Sequence, residues 1–470
     1  MFTTALLLAL CAAAPHDGPA WGGFRGPAGA GIAACELPDA LDVETNLRWK
    51  TEVPAGYSSP VVAGDALFVT AAENKTLSTI CLDRASGALR WRRDVEFDGK
   101  RPGANTSAAP TPVTDGERVY VLFHSVGMLA YDVAGEELWR KDLGEFNIPH
   151  GMSSSPVLHG DLLVQLVDQD THSFLAAYDK VTGEERWKVE RNGFTHSYTT
   201  PAIYAPADGP AQVVVSGALE VASYRLSDGK KLWWAGGSAW LTKALPVFAG
   251  DLCLISAYSL PTTELGLPRL NQPWDEVLAE RDANGDGKIA RDEWVHKMLH
   301  MVWFIFDLDG DGLLDEHDWV YVQKSTTATG GLYAIRMGGA GNVTESHVQW
   351  VYDNRRGLPD CPSPLALDGT LFLIKEGGIL TTLDAATGEL GKQARVGEPD
   401  QYFASPVSAG GKLLLAGQSG QLCVVKADKE WELISRHDLG EQIWSTPAIV
   451  DGAVYVRTSK ALYCFGAGER

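Results

Sequence analysis

One phrase returns eight times along this chain, and it limits the possible folds more than any other feature. It reads "SSPVVAGDALFVT", "PTPVTDGERVYVL", "SSPVLHGDLLVQL", "TTPAIYAPADGPAQVVV", "ALPVFAGDLCLIS", "PSPLALDGTLFLI", "ASPVSAGGKLLLA" and "STPAIVDGAVYVR". Its proline falls at Pro60, Pro112, Pro156, Pro201, Pro246, Pro364, Pro406 and Pro447, with successive gaps of 52, 44, 45, 45, 118, 42 and 41 residues. A recurring period of this size marks a repeat architecture, so 470 residues need not divide into two or three separate domains.

Each unit reads as strands. After the proline a short run meets a Gly-Asp or Asp-Gly turn, then an alternating apolar strand such as "RVYVLF". A third strand ends in an aspartate turn, as in "AYDKVTGEERW", whose glycine suits a positive-φ position. The fourth carries Trp91, Trp139, Trp187 or Trp233, always four residues after that glycine. A large aromatic fixed at one place per unit is what packing between neighbouring sheets needs. Four strands in about 45 residues make a propeller blade. The eighth unit stops at Arg470 before supplying its Trp strand, and "NLRWKTEV", Asn46 to Val53, supplies one at the other end of the chain. The fold expected is all-β: an eight-bladed β-propeller of four-stranded antiparallel blades, closed by an N-terminal strand that removes both open edges.

These repeats resemble the PQQ-like (pyrroloquinoline-quinone-like) β-propeller repeat. The match lies in the "SSP" phrases, the run from Tyr178 to Trp187 and its kin from Tyr131 to Trp139. It weakens where Lys392 replaces a Trp and where Trp431 falls out of register. The leader "WGGFRGPAGAG", Trp21 to Gly31, also looks like that of exported bacterial propellers of this kind. The resemblance implies one of two roles. Quinoprotein dehydrogenases hold the quinone with a calcium ion on the ring axis, whereas scaffolds similar to the outer-membrane assembly factor BamB are not enzymes. The dehydrogenases typically carry two adjacent cysteines under the quinone, and this chain has no Cys-Cys. Their calcium-binding acid, Asn and catalytic Asp match no motif here, so PQQ is not the expected cofactor and no catalytic residue is assigned.

The gap of 118 residues interrupts the fifth unit with a helical module. In "DANGDGKIARDE" an EF-hand calcium loop is complete: Asp282, Asn284, Asp286, the Lys288 carbonyl and Glu293 stand at the first, third, fifth, seventh and twelfth places, with Gly287 at the sixth. Oxygen ligands at alternate positions curl the chain around a hard cation, and Ile289 should point into a local core. A second loop, "DLDGDGLLDEHD", offers Asp307, Asp309, Asp311, the Leu313 carbonyl, Asp315 and Asp318. Asp318 is one methylene shorter than the usual glutamate, so this site should be the weaker of two for calcium. The residues between leave room for one shared helix, with Trp294, Met298, Met301, Val302, Ile305 and Phe306 on an apolar face. "PWDEVLAER", from Pro273, is the entering helix. The pair is expected to act as a staple or docking surface more than as a switch.

The chain divides accordingly into a secretory signal at 1–20, an N-terminal arm at 21–45, blades one to five (first part) at 46–260, the EF-hand insert at 261–326 and the remaining blades at 327–470, with 46–53 closing blade eight. Export to a bacterial periplasm or the extracellular space follows from the signal. Cys11 in "LALC" fits a lipid anchor poorly because Leu10 precedes it. No later stretch is long enough to span a bilayer. A net charge of −20 argues against nucleic acid, whose phosphates need basic patches. The six later cysteines show no CxxC spacing.

The chain enters each innermost strand just before its proline, so residues there should ring one mouth of the axis. Tyr57, Tyr198, Lys243, Phe403 and Trp444 are the candidates, with His150, His196, Trp240 and Tyr402 close by. Aromatics and a lone lysine suit a peptide segment or a small anionic ligand. The function expected is an exported, non-catalytic scaffold that binds calcium through its insert and a protein or small molecule at its mouth. The alternatives are a quinone-dependent dehydrogenase and a lipid-anchored outer-membrane assembly factor.

Overall fold

Every repeat phrase supplies the two inner strands of a four-stranded antiparallel blade, and the fourth and seventh blades each gain a short parallel strand at one edge. The computed structural model describes residues 21–99, 103–258, 268–294, 297–328 and 330–466. The expected signal, Cys11 and the first residues of the insert lie outside this set. Blade one runs Val61–Ala63, Ala66–Glu73, Thr76–Asp83 and Leu89–Glu96 from the axis outward. Its middle strands are almost wholly buried, while the outer strand keeps only Trp91 inside. That gradient is why middle strands read as continuous apolar runs and outer strands as mixed ones.

Blade eight closes the ring as the sequence required. Ala448–Val450, Ala453–Arg457 and Ala461–Phe465 are completed by Leu47–Glu52, with Trp49 opposite Cys464 and Lys50 opposite Tyr463. Val454 pairs with Phe465 in the same sheet. Arg457 then reaches into blade one, donating from Nη1 to the Ser58 carbonyl at 3.0 Å and to Ser58 Oγ at 2.6 Å.

Two rings of contacts hold neighbouring blades together. The outer ring uses the tryptophans. Nε1 of Trp49, Trp91, Trp139 and Trp187 donates to the carbonyls of Arg84, Val133, Lys180 and Leu226 in the next blade, at 3.1, 2.9, 3.2 and 2.8 Å. Each ring lies on the turn glycine of that blade. A Cβ on Gly87 would stand 2.5 Å from Trp49, and one on Gly183 2.8 Å from Trp139. The turn glycine is therefore fixed twice, by its positive φ and by the neighbour's indole. Blade six inverts the pattern: Lys392, which stands in place of a Trp, places Nζ 4.3 Å from the Trp431 ring of blade seven and donates to the Trp431 carbonyl at 2.6 Å.

The inner ring is built from the residue before each proline. The backbone N–H of Ser59 donates to Thr111 Oγ1, Thr111 to Ser155 Oγ, Ser155 to Thr200 Oγ1, Leu245 to Ser363 Oγ, Ser363 to Ser405 Oγ, Ser405 to Thr446 Oγ1, and Thr446 to Ser59 Oγ, all between 2.9 and 3.1 Å. Only at Leu245, which has no hydroxyl, is the relay interrupted. This is the physical reason that Ser or Thr precedes seven of the eight prolines. The hydroxyl satisfies a buried N–H of the adjacent blade.

The N-terminal arm enters the axis. The Val62 N–H donates to the Trp21 carbonyl at 3.0 Å and the Thr114 N–H to the Gly22 carbonyl at 2.7 Å. Arg25 Nη2 donates to the Pro364 carbonyl at 2.8 Å, and the Ser408 N–H donates to the Gly31 carbonyl at 2.7 Å. A Cβ on Gly29 would touch Leu245. One short segment can meet the inner strands of blades one, two, five, six and seven only on the axis. Trp21 and Arg25 are both fully buried there. The arm leaves past the Gly410 and Gly452 turns, the end of the inner strands opposite the pre-proline residues.

The helical insert interrupts blade five between Leu252–Ala257 and Gly331–Arg336, strands that pair with Ala257 opposite Gly331. It is thus an enlarged hairpin tip, where a propeller tolerates added chain. Its helices are α1 (Trp274–Arg281), α2 (Lys297–Phe306) and α3 (Glu316–Thr327). Val277, Ile289, Leu299, Leu314, Trp319 and Val322 form its core and pack on Ala218 and Leu219 of blade four.

Candidate metal loops and the axial mouth

The two loops face one another across a short antiparallel bridge, with Ile289 opposite Leu314 and Ala290 opposite Leu313. Ile289 and Leu314 are fully buried, so each loop's eighth residue locks it to the other. α2, the one shared helix, links the loops, and Trp294, Ile305 and Phe306 turn into the core. The placements of the Met298, Met301 and Val302 side chains lie outside the described set.

In the first loop the candidate oxygens are held by backbone N–H groups. Asp282 Oδ1 accepts from Gly285 at 2.7 Å and from Asp286 at 3.2 Å, and its Oδ2 accepts from Gly287 at 2.9 Å. Asn284 Oδ1 accepts from the Asp286 N–H at 2.8 Å. Glu293 Oε1 accepts from Ala283 at 3.0 Å, and its Oε2 from Ala290 at 2.8 Å. The Lys288 side chain crosses to the second loop and pairs with Asp311 Oδ2 at 2.5 Å.

The second loop brings Asp307, Asp309 and Asp311 together, with one carboxylate oxygen of each within 4.8 Å of the others. Oδ1 of Asp307 is buried with no hydrogen-bond partner. Burial raises the Asp307 pKa, and Asp311 and Asp309 add to the rise. Asp318 is pushed up to about 7, chiefly by burial, although it accepts from the Leu308 N–H at 3.0 Å and the Asp315 N–H at 3.1 Å. Asp315 in turn accepts from the Asp318 N–H, so the two carboxylates form a reciprocal cap on α3. Converging carboxylates, one with an unpartnered buried oxygen, are a hard-cation donor set. The second loop thus brings three carboxylates together, while in the first Asp282, Asn284 and Glu293 are held by backbone N–H groups.

At the axial mouth the candidates separate into two groups. Tyr57, Trp444 and Phe403, from blades one, eight and seven, form a continuous stack. Tyr57 and Trp444 have ring centroids 4.8 Å apart and 16° from parallel, and Phe403 lies 4.6 Å from Trp444. Phe403 is 37% exposed. Tyr198 lies apart from that stack, buried among His150 and His196, with centroids 5.9 and 5.7 Å away. Lys243 is not a lone cation: Asp360 pairs with it at 2.5 Å. Sequence spacing could not find Asp360, because it lies four residues before its blade's proline rather than three.

His196 Nδ1 bonds the buried Asp170. Burial lowers the His150 pKa, and His196 and Lys243 lower it further. Cys361 is pushed up to about 12, first by burial, so it stands as a thiol and not as a nucleophilic thiolate. Behind the mouth, Arg191 and Asp168 form a fully buried two-pronged pair at 2.6 and 3.0 Å, to which Ser197 Oγ donates at 2.9 Å. All six cysteines among the described residues are free, four of them buried in strands as small apolar groups.

A family profile described as outer membrane protein assembly factor BamB matches residues 77–335 and 317–465. Among solved structures, BamB from Moraxella catarrhalis shares 11% identity at a TM-score of 0.56, covering 89% of this chain and 100% of its own. A europium-containing methanol dehydrogenase shares 10% identity at 0.63, covering 96% and 98%. The quinohemoprotein alcohol dehydrogenase from Comamonas testosteroni shares 12% at 0.61, covering 95% of this chain and 80% of its own. At such identities the likeness is one of fold. No curated protein matches the chain.

Proposed function

We propose a binding role for this chain, which belongs to the propeller family described as outer membrane protein assembly factor BamB. It is an exported, non-catalytic scaffold whose mouth takes a protein segment or a small ligand and whose insert is stapled by calcium. The Tyr57–Trp444–Phe403 stack carries this reading, because it puts apolar aromatic surface on the rim of an axis whose interior is already filled. Rigid aromatics give contact area at low entropic cost and dominate recognition surfaces.

Two observations weigh against quinone chemistry on the axis. Trp21 and Arg25 occupy the space between the inner strands. Two pairs of ionisable groups at the mouth are spent on each other, Lys243 with Asp360 and His196 with Asp170. The residues present do not fit a planar quinone there, and no reaction step is assigned to one.

Calcium binding is supported by the opposed loops, by the convergence of Asp307, Asp309 and Asp311, and by the buried unpartnered oxygen of Asp307. The Leu313 carbonyl and Asp318 complete the set in the second loop. Asp282, Asn284, Asp286, Glu293 and the Lys288 carbonyl form the first. Adding pyrroloquinoline quinone and calcium to the purified protein, then following absorbance and dye reduction with alcohols, tests the role. The expected result is no spectral change and no turnover. Saturable dye reduction would instead make the protein a dehydrogenase.

A further inference from the structure

A cavity of about 560 Å³ lies where the insert meets blade four, a size suited to a small organic molecule. α3 supplies His317, Val320 and Lys324 to one wall, and Phe194, Lys231 and Trp234 form the other. Val320 is 39% exposed, an apolar side chain left without cover beside the cavity.

The charges there are unequal. Lys231 is neutralised by Glu220 at 2.5 Å, and its Nζ stands 4.7 Å from the Trp234 ring and 5.7 Å from the Phe194 ring. Lys324 and His317 have no ion-pair partner among the described residues. The lining is therefore net positive within a chain of net charge −20, and such a spot concentrates anions. The wall is also well fixed. The Phe194 ring stacks 3.9 Å from the guanidinium of Arg191, which Asp168 holds, and the Thr195 hydroxyl meets Tyr321 of α3 at 2.5 Å.

We propose that this seam is a binding site for a small planar organic anion of the aromatic carboxylate class. Its carboxylate faces Lys324 and His317, and its ring lies against Trp234 and Phe194. The site also borders the second metal loop. Leu308 lines the cavity while its N–H donates to Asp318 Oδ1 at 3.0 Å, and α3 starts from the Asp315 cap. Occupancy of that loop and of the seam should influence each other reciprocally, a consequence that rests on the calcium reading.

The test is calorimetric titration of the full chain with 1-naphthoate, in calcium and after chelation. Saturable binding is expected, weakened about tenfold or more by Lys324→Glu and unchanged by Trp444→Ala at the distant mouth. Absence of saturable binding in both states would overturn the proposal, as would equal affinity in Lys324→Glu. If naphthoate binds and Lys324→Glu weakens it while the protein takes up no calcium, the seam stands and the metal reading alone fails.

Discussion

The backbone N–H of Thr446 donates to Ser59 Oγ at 3.1 Å across 387 residues of sequence. It is the link that joins the last blade to the first in the inner ring. Ser59 in turn donates its own N–H to Thr111 Oγ1, so one residue serves two blade interfaces. Ser59→Ala removes the acceptor and leaves the buried Thr446 N–H unsatisfied. It should cost about 1–3 kcal/mol, read as a lower midpoint in denaturant with an unchanged slope. Thr111→Val, which strips the hydroxyl that accepts from Ser59, should cost a similar amount.

Trp49 tests closure from the outer ring. It is 9% exposed, stacks against the Gly87 turn and donates to the Arg84 carbonyl. Trp49→Ala should destabilise by about 3–5 kcal/mol, the usual range for a large aromatic removed from a core. The loss should appear as one cooperative transition at lower denaturant. A stability equal to that of the unaltered protein would mean that the N-terminal strand does not secure blade eight.

Most of the architecture was legible because it repeats. A proline with a preceding hydroxyl, a turn glycine and a Trp four residues later each mark a contact that recurs in blade after blade, so period alone placed them. What stayed hidden is not periodic. The path of Trp21 to Gly31 through the axis is made once, by contacts to five blades that are far apart in sequence. Asp360 escaped for the same reason, since its meeting with Lys243 depends on how two blades are set side by side. In the insert the spacing of oxygen-bearing side chains was plain, but the Lys288 side chain's crossing to Asp311, 23 residues on, is a contact between loops that no spacing within one loop could show.

A partner at the mouth should be detectable without knowing its identity. A photo-crosslinking residue at Phe403, beside Trp444, should capture it in cells. The same residue at Leu390, exposed on the outer strand of blade six, should not. Trp444→Ala should abolish the Phe403 adduct while costing about 1–3 kcal/mol of stability, the value of its two aromatic pairs with Tyr57 and Phe403. Equal capture at both positions would remove the mouth as the binding surface.

Asp318 gives the insert a pH dependence with a definite sign. Its carboxyl is raised on folding from 3.8 to about 7, mainly by burial. A group raised in this way stabilises the folded state most at low pH and loses that contribution as pH rises through its folded value. The chelated protein's insert should therefore melt lower at about pH 8 than at about pH 5. Calcium takes the ionised carboxylate, so its affinity should rise over the same interval. Asp318→Asn should flatten both trends in thermal melts recorded across pH.

The most direct test of the calcium-stapled scaffold is calorimetric titration of the chelated full chain with calcium chloride, followed by thermal melts with and without the ion. Two ions should bind, one lost in Glu293→Gln and the other in Asp307→Asn. Each site, at a hundred times its Kd, should add about 2.7 kcal/mol to the stability of the insert. No heat of binding and no change in melting temperature would contradict the account at its centre.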